Sequence, residues 1–383
     1  MIPKSYTLFD TPLYIQEESQ AMDFVLQKIA DKKQIVKIHI SLASILEGDT
    51  LPNIYLRWCN FLRKHFKEQL PALTLVCQAP CNHAYLSAEI VEFTPVSEVL
   101  RVNGQVEGAL YVLLSKNEYQ ELWTSGLYGG DTQTNVSATI AFEQLKSILE
   151  ITGFTFDDIV RQWNYIGDIL GENAEEGKHL QNYQVFNEVR DLYYKNNKQE
   201  QSYPAATGIG MANQGIIIDV IAVKNSPRNI PIQSPIQKNA HGYEQNVLVG
   251  ESLDTHPKKT PLFERARLLG DNDNAELYVS GTASIKGQDT IDKENVLAQA
   301  KNTICFIHEL CQQNNIKQNF QDFIGKTMEY KRVRVYVKPL QYTLALEKNI
   351  QAMYPTTNIN MLTADICRDD LLIEIEADLI YLS

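Results

Sequence analysis

A short acidic strand near the C-terminus carries the residues best suited to acid–base chemistry. From Leu371 to Ile380 apolar and acidic residues alternate imperfectly. Glu374 and Glu376 fall on one face, because successive residues of a strand point to opposite faces. Two carboxylates on one face, close after Cys367 and Arg368, are costly to hold unless that face meets water or a ligand. The plain alternative is a sheet with one solvated face. If the pair is buried instead, burial and mutual repulsion raise the pKa of one carboxyl, which then remains a proton donor near neutral pH.

Composition bounds the classes of function that need consideration. The chain has 383 residues, of which 44% are apolar and 21% charged, and a net charge of −12. This acidic balance argues against nucleic-acid binding, which needs clustered Lys and Arg. It also requires an anionic substrate to find a locally positive pocket. The start of the chain lacks a secretory signal, and no apolar run approaches the roughly 20 residues that span a bilayer. Six irregularly spaced cysteines favour reduced thiols and a cytoplasmic protein.

A weak duplication organises most of the chain. Each copy is predicted to run strand, helix, strand, helix, strand. Apolar stripes at helical spacing, such as Ala141–Leu145–Ile148–Leu149 and Ala300–Ile304–Ile307–Cys311, support the helices. The pattern indicates an α+β fold with a mixed sheet and helices packed on one face. The predicted helices cover 137–152, 180–194, 293–314 and 342–353, and the closing strands cover 215–223 and 371–380.

Two segments stand outside the duplication. The first 75 or so residues contain one clear helix, 54–68, followed by a strand, 72–77, and are interpreted as a partial layer added to the first unit. Residues 225–261 are rich in Pro, Asn, Gln, Ser and Gly, and are either a linker or a loop beside a ligand; we favour the loop. The expected domains are therefore 1–224, a connecting loop 225–260, and a C-terminal unit 261–383 that carries the site.

These features resemble known families. Each unit is similar to the small fold of the Rid imine deaminases, and the segments that carry this similarity are Gly153–Val160 and Ile373–Ala377. Six segments, in order over about residues 75–383, more closely resemble the chorismatases, chorismate hydrolases built of two Rid-like units. The six are Arg161–Ile169, Tyr183–Asn187 with Arg190, Tyr203–Gly210, Ser226–Arg228, Val279–Ile285 and Asp365–Glu376.

The resemblance implies cleavage of the enolpyruvyl ether of chorismate, which gives pyruvate and a hydroxybenzoate or a dihydroxycyclohexadiene carboxylate. Such cleavage needs a proton for the enol methylene carbon, and the resemblance assigns it to Glu374, titrating jointly with Glu376. Cys367 falls where the 3-hydroxybenzoate-forming subgroup carries a pocket cysteine; otherwise it is a small buried hydrophobe. Tyr203 and Thr207 are candidate hydroxyl donors to the substrate ring, although a core tyrosine is the alternative for Tyr203.

Basic residues are needed to hold the two carboxylates of such a substrate. No cofactor and no metal are implied, and the partner is a small anionic molecule. The chain departs from the family pattern in three places: Lys338 replaces an arginine, Gln288 replaces a histidine, and Lys259–Arg265 replaces a segment of the Tyr-Gly-Pro-Arg-Ser-Pro type. The candidate cations are Arg161, Arg228, Arg334, Lys338 and Arg368.

Two other functions remain open at the sequence level. A Rid-type imine or enamine deaminase would hold its substrate with an arginine where this chain has Ala206. The first unit also has Ile217 and Asp219 where the second has its glutamates, and is interpreted as a scaffold copy. A non-catalytic small-ligand-binding protein is the third possibility. Rid units pack in threefold rings, so either a homotrimer or a pseudo-trimeric monomer is expected.

Overall fold

A computed structural model describes residues 1–95, 99–175, 178–199, 202–253, 257–271, 274–321, 323, 327–339, 341–355 and 357–382. Its helices and strands form three units, described here in chain order. Among the described residues, none of the helices is long and apolar enough to cross a membrane.

The N-terminal unit is a complete sheet with two helices, and the expected partial layer is wrong. The order is β1-β4-β2-β3, with β2 and β3 parallel. The helix α2 starts after Thr50, whose side chain accepts a hydrogen bond from the backbone N–H of Asn53. The other strands escaped prediction because buried Lys37 and His39 interrupt the apolar pattern of β2. The elements are β1 (Lys4–Asp10), α1 (Glu18–Gln27), β2 (Ile35–Leu42), α2 (Leu51–Phe66), β3 (Ala72–Cys77) and β4 (Leu86–Phe93).

The middle unit has a longer sheet in the order β5-β6-β7-β13-β9-β12. Its two helices confirm the predicted pair with shifts of a few residues, and the stripe Ala141–Leu149 is buried. The elements are β5 (Leu100–Val106), β6 (Ala109–Lys116), β7 (Tyr119–Thr124), β8 (Leu127–Tyr128), α3 (Thr134–Thr152), β9 (Ile159–Gly167), β10 (Glu172–Glu175), β11 (Lys178–Gln181), α4 (Asn182–Asn197), β12 (Ala205–Met211) and β13 (Ile216–Lys224).

The C-terminal unit repeats that sheet in the order β14-β15-β16-β21-β19-β20. The predicted helix 293–314 is two helices, with a break at Gln312. β14 lies inside the expected connecting loop and already belongs to this sheet, so the unit begins earlier than residue 261. The elements are β14 (Asn229–Ile232), β15 (Ala266–Gly270), β16 (Asn274–Ala283), β17 (Ile285–Lys286), β18 (Asp289–Thr290), α5 (Val296–Cys311), α6 (Gln313–Asn319), β19 (Thr327–Val337), α7 (Leu344–Met353), β20 (Ile359–Thr363) and β21 (Ile373–Leu382).

All three units share one four-strand topology. The sheets β1-β4-β2-β3, β7-β13-β9-β12 and β16-β21-β19-β20 each end in a parallel pair, and each unit has a helix after its first strand and another after its second. One face of each sheet is apolar. In the C-terminal unit, Ile375 and Leu379 share a core cluster with Ile304 of α5 and Ile350 of α7. The fold is therefore α+β, with mixed sheets and helices packed on one face.

The opposite faces carry charges that meet between the units. In the strand registers Glu89 lies opposite His39, Asp219 opposite Trp163, and Glu376 opposite Arg334. Two residues before His39, Trp163 and Arg334 stand the basic residues Lys37, Arg161 and Arg332. Each basic residue binds the acid of another unit, so three equivalent ion pairs join the three units. The pairs are Lys37–Asp219 at 2.6 Å, Arg161–Glu376 at 2.7 Å and Arg332–Glu89 at 3.1 Å.

Candidate active site

A cavity lies between the middle and C-terminal units, around the start of β21. Its walls come from α4, β12, the end of β16, the segment before β21, and residues 243–249 and 261–265 between β14 and β15. Its free volume is about 50 Å³. Glu374, Cys367 and Arg368 all line it, so the structure brings together three of the residues that the sequence singled out.

Glu374 presents a buried carboxyl to this cavity. The residue is 5% exposed, and its side chain forms no hydrogen bond or ion pair within the described part of the chain. A Cβ atom built on Gly281 would lie 2.0 Å from Oε1 of Glu374, so the carboxyl needs glycine at that position. Burial, and then the charge of Glu376, raise the pKa of Glu374 from 4.5 to about 8, against the opposing effect of Arg161 and Arg265. The carboxyl is therefore protonated at neutral pH.

Glu376, in contrast to Glu374, is held as an ionised carboxylate. It accepts hydrogen bonds from Arg161 Nη2 at 2.7 Å, from Trp163 Nε1 at 2.8 Å, and from the hydroxyl of Thr207. Arg334 Nη1 is 3.1 Å from its carboxylate. Burial alone would raise the pKa of Glu376, but the surrounding arginines and the Thr207 hydroxyl lower it below its usual value. The two acids on one strand are thus split into a proton donor and a fixed anion, and the solvated-face alternative is wrong.

Cys367 is a thiol rather than a thiolate. Burial, followed by the nearby Glu374, raises the pKa of Cys367 to about 12. A protonated thiol is a weak nucleophile, so this geometry suits a residue that shapes the cavity. Tyr183 also lines the cavity, and burial raises the pKa of its hydroxyl well above the usual value.

Two arginines give the cavity its positive charge. Arg265 is 2% exposed, donates from Nε to the carbonyl oxygen of Lys238 at 3.1 Å, and from Nη2 to the Tyr243 hydroxyl at 2.7 Å. Its Nη1 makes no hydrogen bond within the described residues. Arg368 donates from Nη1 to the carbonyl oxygen of Gln288 at 2.8 Å. The Gln288 side chain, which is the departure from the family pattern, accepts a hydrogen bond from the backbone N–H of Glu244 at 3.2 Å.

Several predicted substrate ligands lie elsewhere. Arg161 and Thr207 are fully buried behind the cavity, where they bind Glu376. Lys338 is paired with Asp369 at 2.6 Å and does not line the cavity. Arg228 lies over the Phe320 ring at 3.8 Å, also away from the cavity. The expected contacts of Arg228 and Lys338 with a substrate are thus not supported, because each side chain is directed to another partner.

Tyr203 and Arg334 also lie outside the cavity wall. The Tyr203 ring packs between Tyr194 and His241, at centroid distances of 6.0 and 5.5 Å. Arg334 donates to Glu89 and to the hydroxyl of Tyr165. Tyr203 is half-buried in this aromatic cluster, and its role as a hydroxyl donor to a substrate stays a prediction.

Sequence reasoning missed Arg265, Tyr243 and Tyr183. Arg265 precedes β15 in a stretch that differs from the family pattern, so no motif pointed to it. Tyr183 stands in one of the segments that resemble the chorismatases, which gives it no role of its own, and it lines the cavity from the first turn of α4. Tyr243 lies in the 225–261 segment, whose composition pointed to a loop beside a ligand without naming a residue.

No metal cluster accompanies this site. In the described ranges, no group of three or more His, Cys, Asp or Glu side chains is arranged to hold an ion. Cys77, Cys81 and His83, which form a Cys-x3-Cys-x-His pattern, belong to the N-terminal unit. Burial raises the pKa of the two thiols to about 11.

Comparisons with known proteins identify similar sequences and a similar fold. The family model for the N-terminal part of FkbO/Hyg5-like chorismatases matches residues 109–222. A 3-hydroxybenzoate synthase from Streptomyces hygroscopicus is 26% identical over 317 residues, which are 79% of this chain and 88% of that protein. A chorismatase from the same organism is 27% identical over 220 residues, 57% of this chain and 60% of that protein. A solved chorismatase structure superposes with a TM-score of 0.70 at 19% identity, covering 98% of each chain, and so shares the fold. The chain is a relative of the chorismatases.

Proposed function

We propose that this protein cleaves the enolpyruvyl ether of chorismate, with Glu374 as the general acid. The observation that carries the proposal is a buried carboxyl, protonated at neutral pH, in a cavity that also contains two arginines. In the first step the Glu374 O–H bond breaks, and its proton forms a C–H bond with the enol methylene carbon. The ether carbon then becomes an oxocarbenium ion, and Glu374 becomes a carboxylate.

The second step decides the product. Water that attacks the oxocarbenium carbon gives a hemiketal, which loses pyruvate and leaves a dihydroxycyclohexadiene carboxylate. Attack by the neighbouring ring hydroxyl leads instead, after loss of pyruvate, to a hydroxybenzoate. Glu374 as the carboxylate accepts a proton in either route, which restores the acid. One relative is named a 3-hydroxybenzoate synthase, and we propose that the Cys367 thiol shapes the cavity wall that selects between the two routes.

Arg265 and Arg368 are the proposed anchors for the substrate carboxylates. Within the described residues Nη1 of Arg265 makes no hydrogen bond, and guanidinium groups bind carboxylates with two parallel hydrogen bonds. Arg161 takes a different part, because it keeps Glu376 ionised, and the resulting anion keeps the proton on Glu374. The free volume of about 50 Å³ is small for a substrate ring, so entry requires segment 243–249 to move outward.

The test is pyruvate release from chorismate by the purified protein. We expect release that Glu374→Gln abolishes, while the matched exposed variant Glu150→Gln retains the full rate. Arg265→Gln is expected to raise KM more than it lowers kcat. Release no faster than the spontaneous background, from about pH 6 to about pH 9, would refute the proposal. Turnover of a 2-imino acid without pyruvate release would instead identify a Rid-type deaminase.

We also propose that the active form is a pseudo-trimeric monomer in the cytoplasm. The three equivalent ion pairs close a ring of three units within one chain, which is the arrangement that a homotrimer would otherwise supply. All six cysteines are free thiols, as a reducing compartment requires. Light scattering should give the mass of one chain, and a trimer mass would contradict this proposal. Cell fractionation tests the compartment.

A further inference from the structure

A second cleft occupies the position in the middle unit that corresponds to the Glu374 cavity in the C-terminal unit. It lies at the junction of the N-terminal and middle units. Gly126, Tyr128 and Gly130 line it, at the same mutual spacing as Gly281, Ala283 and Ile285 in the first cavity.

The same hydrogen-bonding frame supports both clefts. Thr74 donates to Asp219 at 2.8 Å, as Thr207 donates to Glu376. The residue after each threonine, Leu75 or Gly208, lines the corresponding cleft.

The position of the acid differs between the two clefts. Ile217 stands two residues before Asp219, where Glu374 stands two residues before Glu376. A Cβ atom built on Gly126 would lie 3.0 Å from the Ile217 side chain, so this glycine faces Ile217 as Gly281 faces Glu374. The second cleft therefore keeps the frame and lacks the proton donor.

The second cleft is also much more open. Between β5 and β6 the chain makes a two-residue turn at Glu107 and Gly108, whereas residues 233–265 separate the equivalent strands β14 and β15 and contribute a wall of the first cavity. The free volume is accordingly about 410 Å³, against about 50 Å³ around Glu374. This size suits a small organic molecule.

The lining chemistry narrows the class of ligand. Leu51, Tyr55 and Leu56 of α2 supply an apolar and aromatic wall, on which a flat ring packs well. Gln144 also lines the cleft, and its Oε1 is buried without a hydrogen-bond partner in the described structure. A buried acceptor of this kind gains most from a ligand that brings an O–H or N–H donor.

Charge at the rim argues for a neutral ligand. Arg63 and Glu107 both line the cleft, so the two formal charges cancel. Arg63 already donates to Asn60 and Gln105, at 3.2 and 3.3 Å. We propose that this cleft binds a small uncharged aromatic molecule that carries a hydroxyl or N–H donor, with the ring against α2 and the donor on Gln144 Oε1.

Three probes test the proposal on the full-length protein: phenol, toluene and benzoate, titrated by ligand-observed NMR. Phenol should bind more tightly than the other two. Gln144→Leu keeps the volume but removes the acceptor, and should weaken phenol binding about tenfold while leaving toluene unchanged.

A variant that blocks the second cleft distinguishes phenol binding there from phenol binding in the Glu374 cavity. Leu56 is 55% exposed, so Leu56→Trp narrows the mouth without entering the core, and should abolish phenol binding with the thermal melting temperature unchanged. Glu374→Gln is the matched control and should bind phenol as the wild type does. Phenol binding that survives Leu56→Trp, benzoate binding as tight as phenol binding, or no binding at all would overturn the inference. None of these results bears on pyruvate release.

Discussion

Neutralising Glu376 should move the pH dependence of catalysis, because its charge helps to keep the proton on Glu374. The two residues are two positions apart on β21, so their carboxyl groups are about 7 Å apart. At that distance two like charges repel by about 2.4 kcal/mol at an effective dielectric constant of about 20. This energy corresponds to nearly 2 pH units. In Glu376→Gln the arginines around this position also lose their anion, and their charge then lowers the pKa of Glu374 further.

The assay is kcat/KM for pyruvate release from about pH 6 to about pH 10, whose basic limb reports the acid in the free enzyme. Wild type should lose activity with a midpoint of about 8, and Glu376→Gln should lose it 1 to 2 pH units lower, by the estimate of about 2.4 kcal/mol. The matched control is Asp378→Asn, which removes another buried anion of the same strand face twice as far from Glu374, and should shift the limb by less than half as much. Circular dichroism confirms that each variant is folded. An unmoved limb in Glu376→Gln would refute the reasoning.

Three further predictions follow from buried groups. Because the pKa of Glu374 is about 8 in the folded chain against 4.5 in the unfolded one, the folded state binds more protons between these values, and its stability falls as the pH rises through that window. The melting temperature of Glu374→Gln should therefore exceed that of wild type only slightly at about pH 5 and increasingly up to about pH 8. Equal melting at both pH values would contradict this. Iodoacetamide at about pH 8 should alkylate the exposed Cys305 of α5 and spare Cys367, because the pKa of Cys367 is about 12. Peptide mass mapping measures the labelling, and rapid labelling of Cys367 would show a thiolate. Lys4→Met should lower the free energy of unfolding by about 3–5 kcal/mol, because it leaves Glu121 and Glu276 buried without their shared cation. In denaturant titrations, the double variant Lys4→Met/Glu276→Gln should recover part of this loss.

The duplicated part of the fold was predictable because its apolar patterns are regular. Strand β21 begins with alternating apolar and acidic residues, and the helices of the middle and C-terminal units carry apolar stripes. In the N-terminal unit the sequence predicts only α2 and β3, because other strands there bury charges, as Lys37 of β2 does in the ion pair with Asp219. A sequence pattern treats a lysine as a surface residue, and only the three-unit arrangement shows that an acid from another unit neutralises it.

The site was predictable only in part, for a related reason. Motif and alternation pointed to Glu374 and Cys367, which are close together in the sequence. The arginine at the cavity wall comes from a segment without a motif, so Arg265 had no signal. Residue type and the resemblance to the family both favour Arg228 and Lys338 as substrate ligands, but a basic residue has many partners other than a ligand, here Phe320 and Asp369.

The most direct measurement is the protonation state of Glu374 itself. Difference infrared spectra of wild type minus Glu374→Gln isolate the C=O stretch of this one protonated carboxyl. From about pH 5 to about pH 10, the band should be present at neutral pH and disappear with a midpoint of about 8. A band already lost near pH 5, the ordinary range for a solvated glutamate, would contradict the central claim that this chain keeps a neutral acid ready for proton transfer.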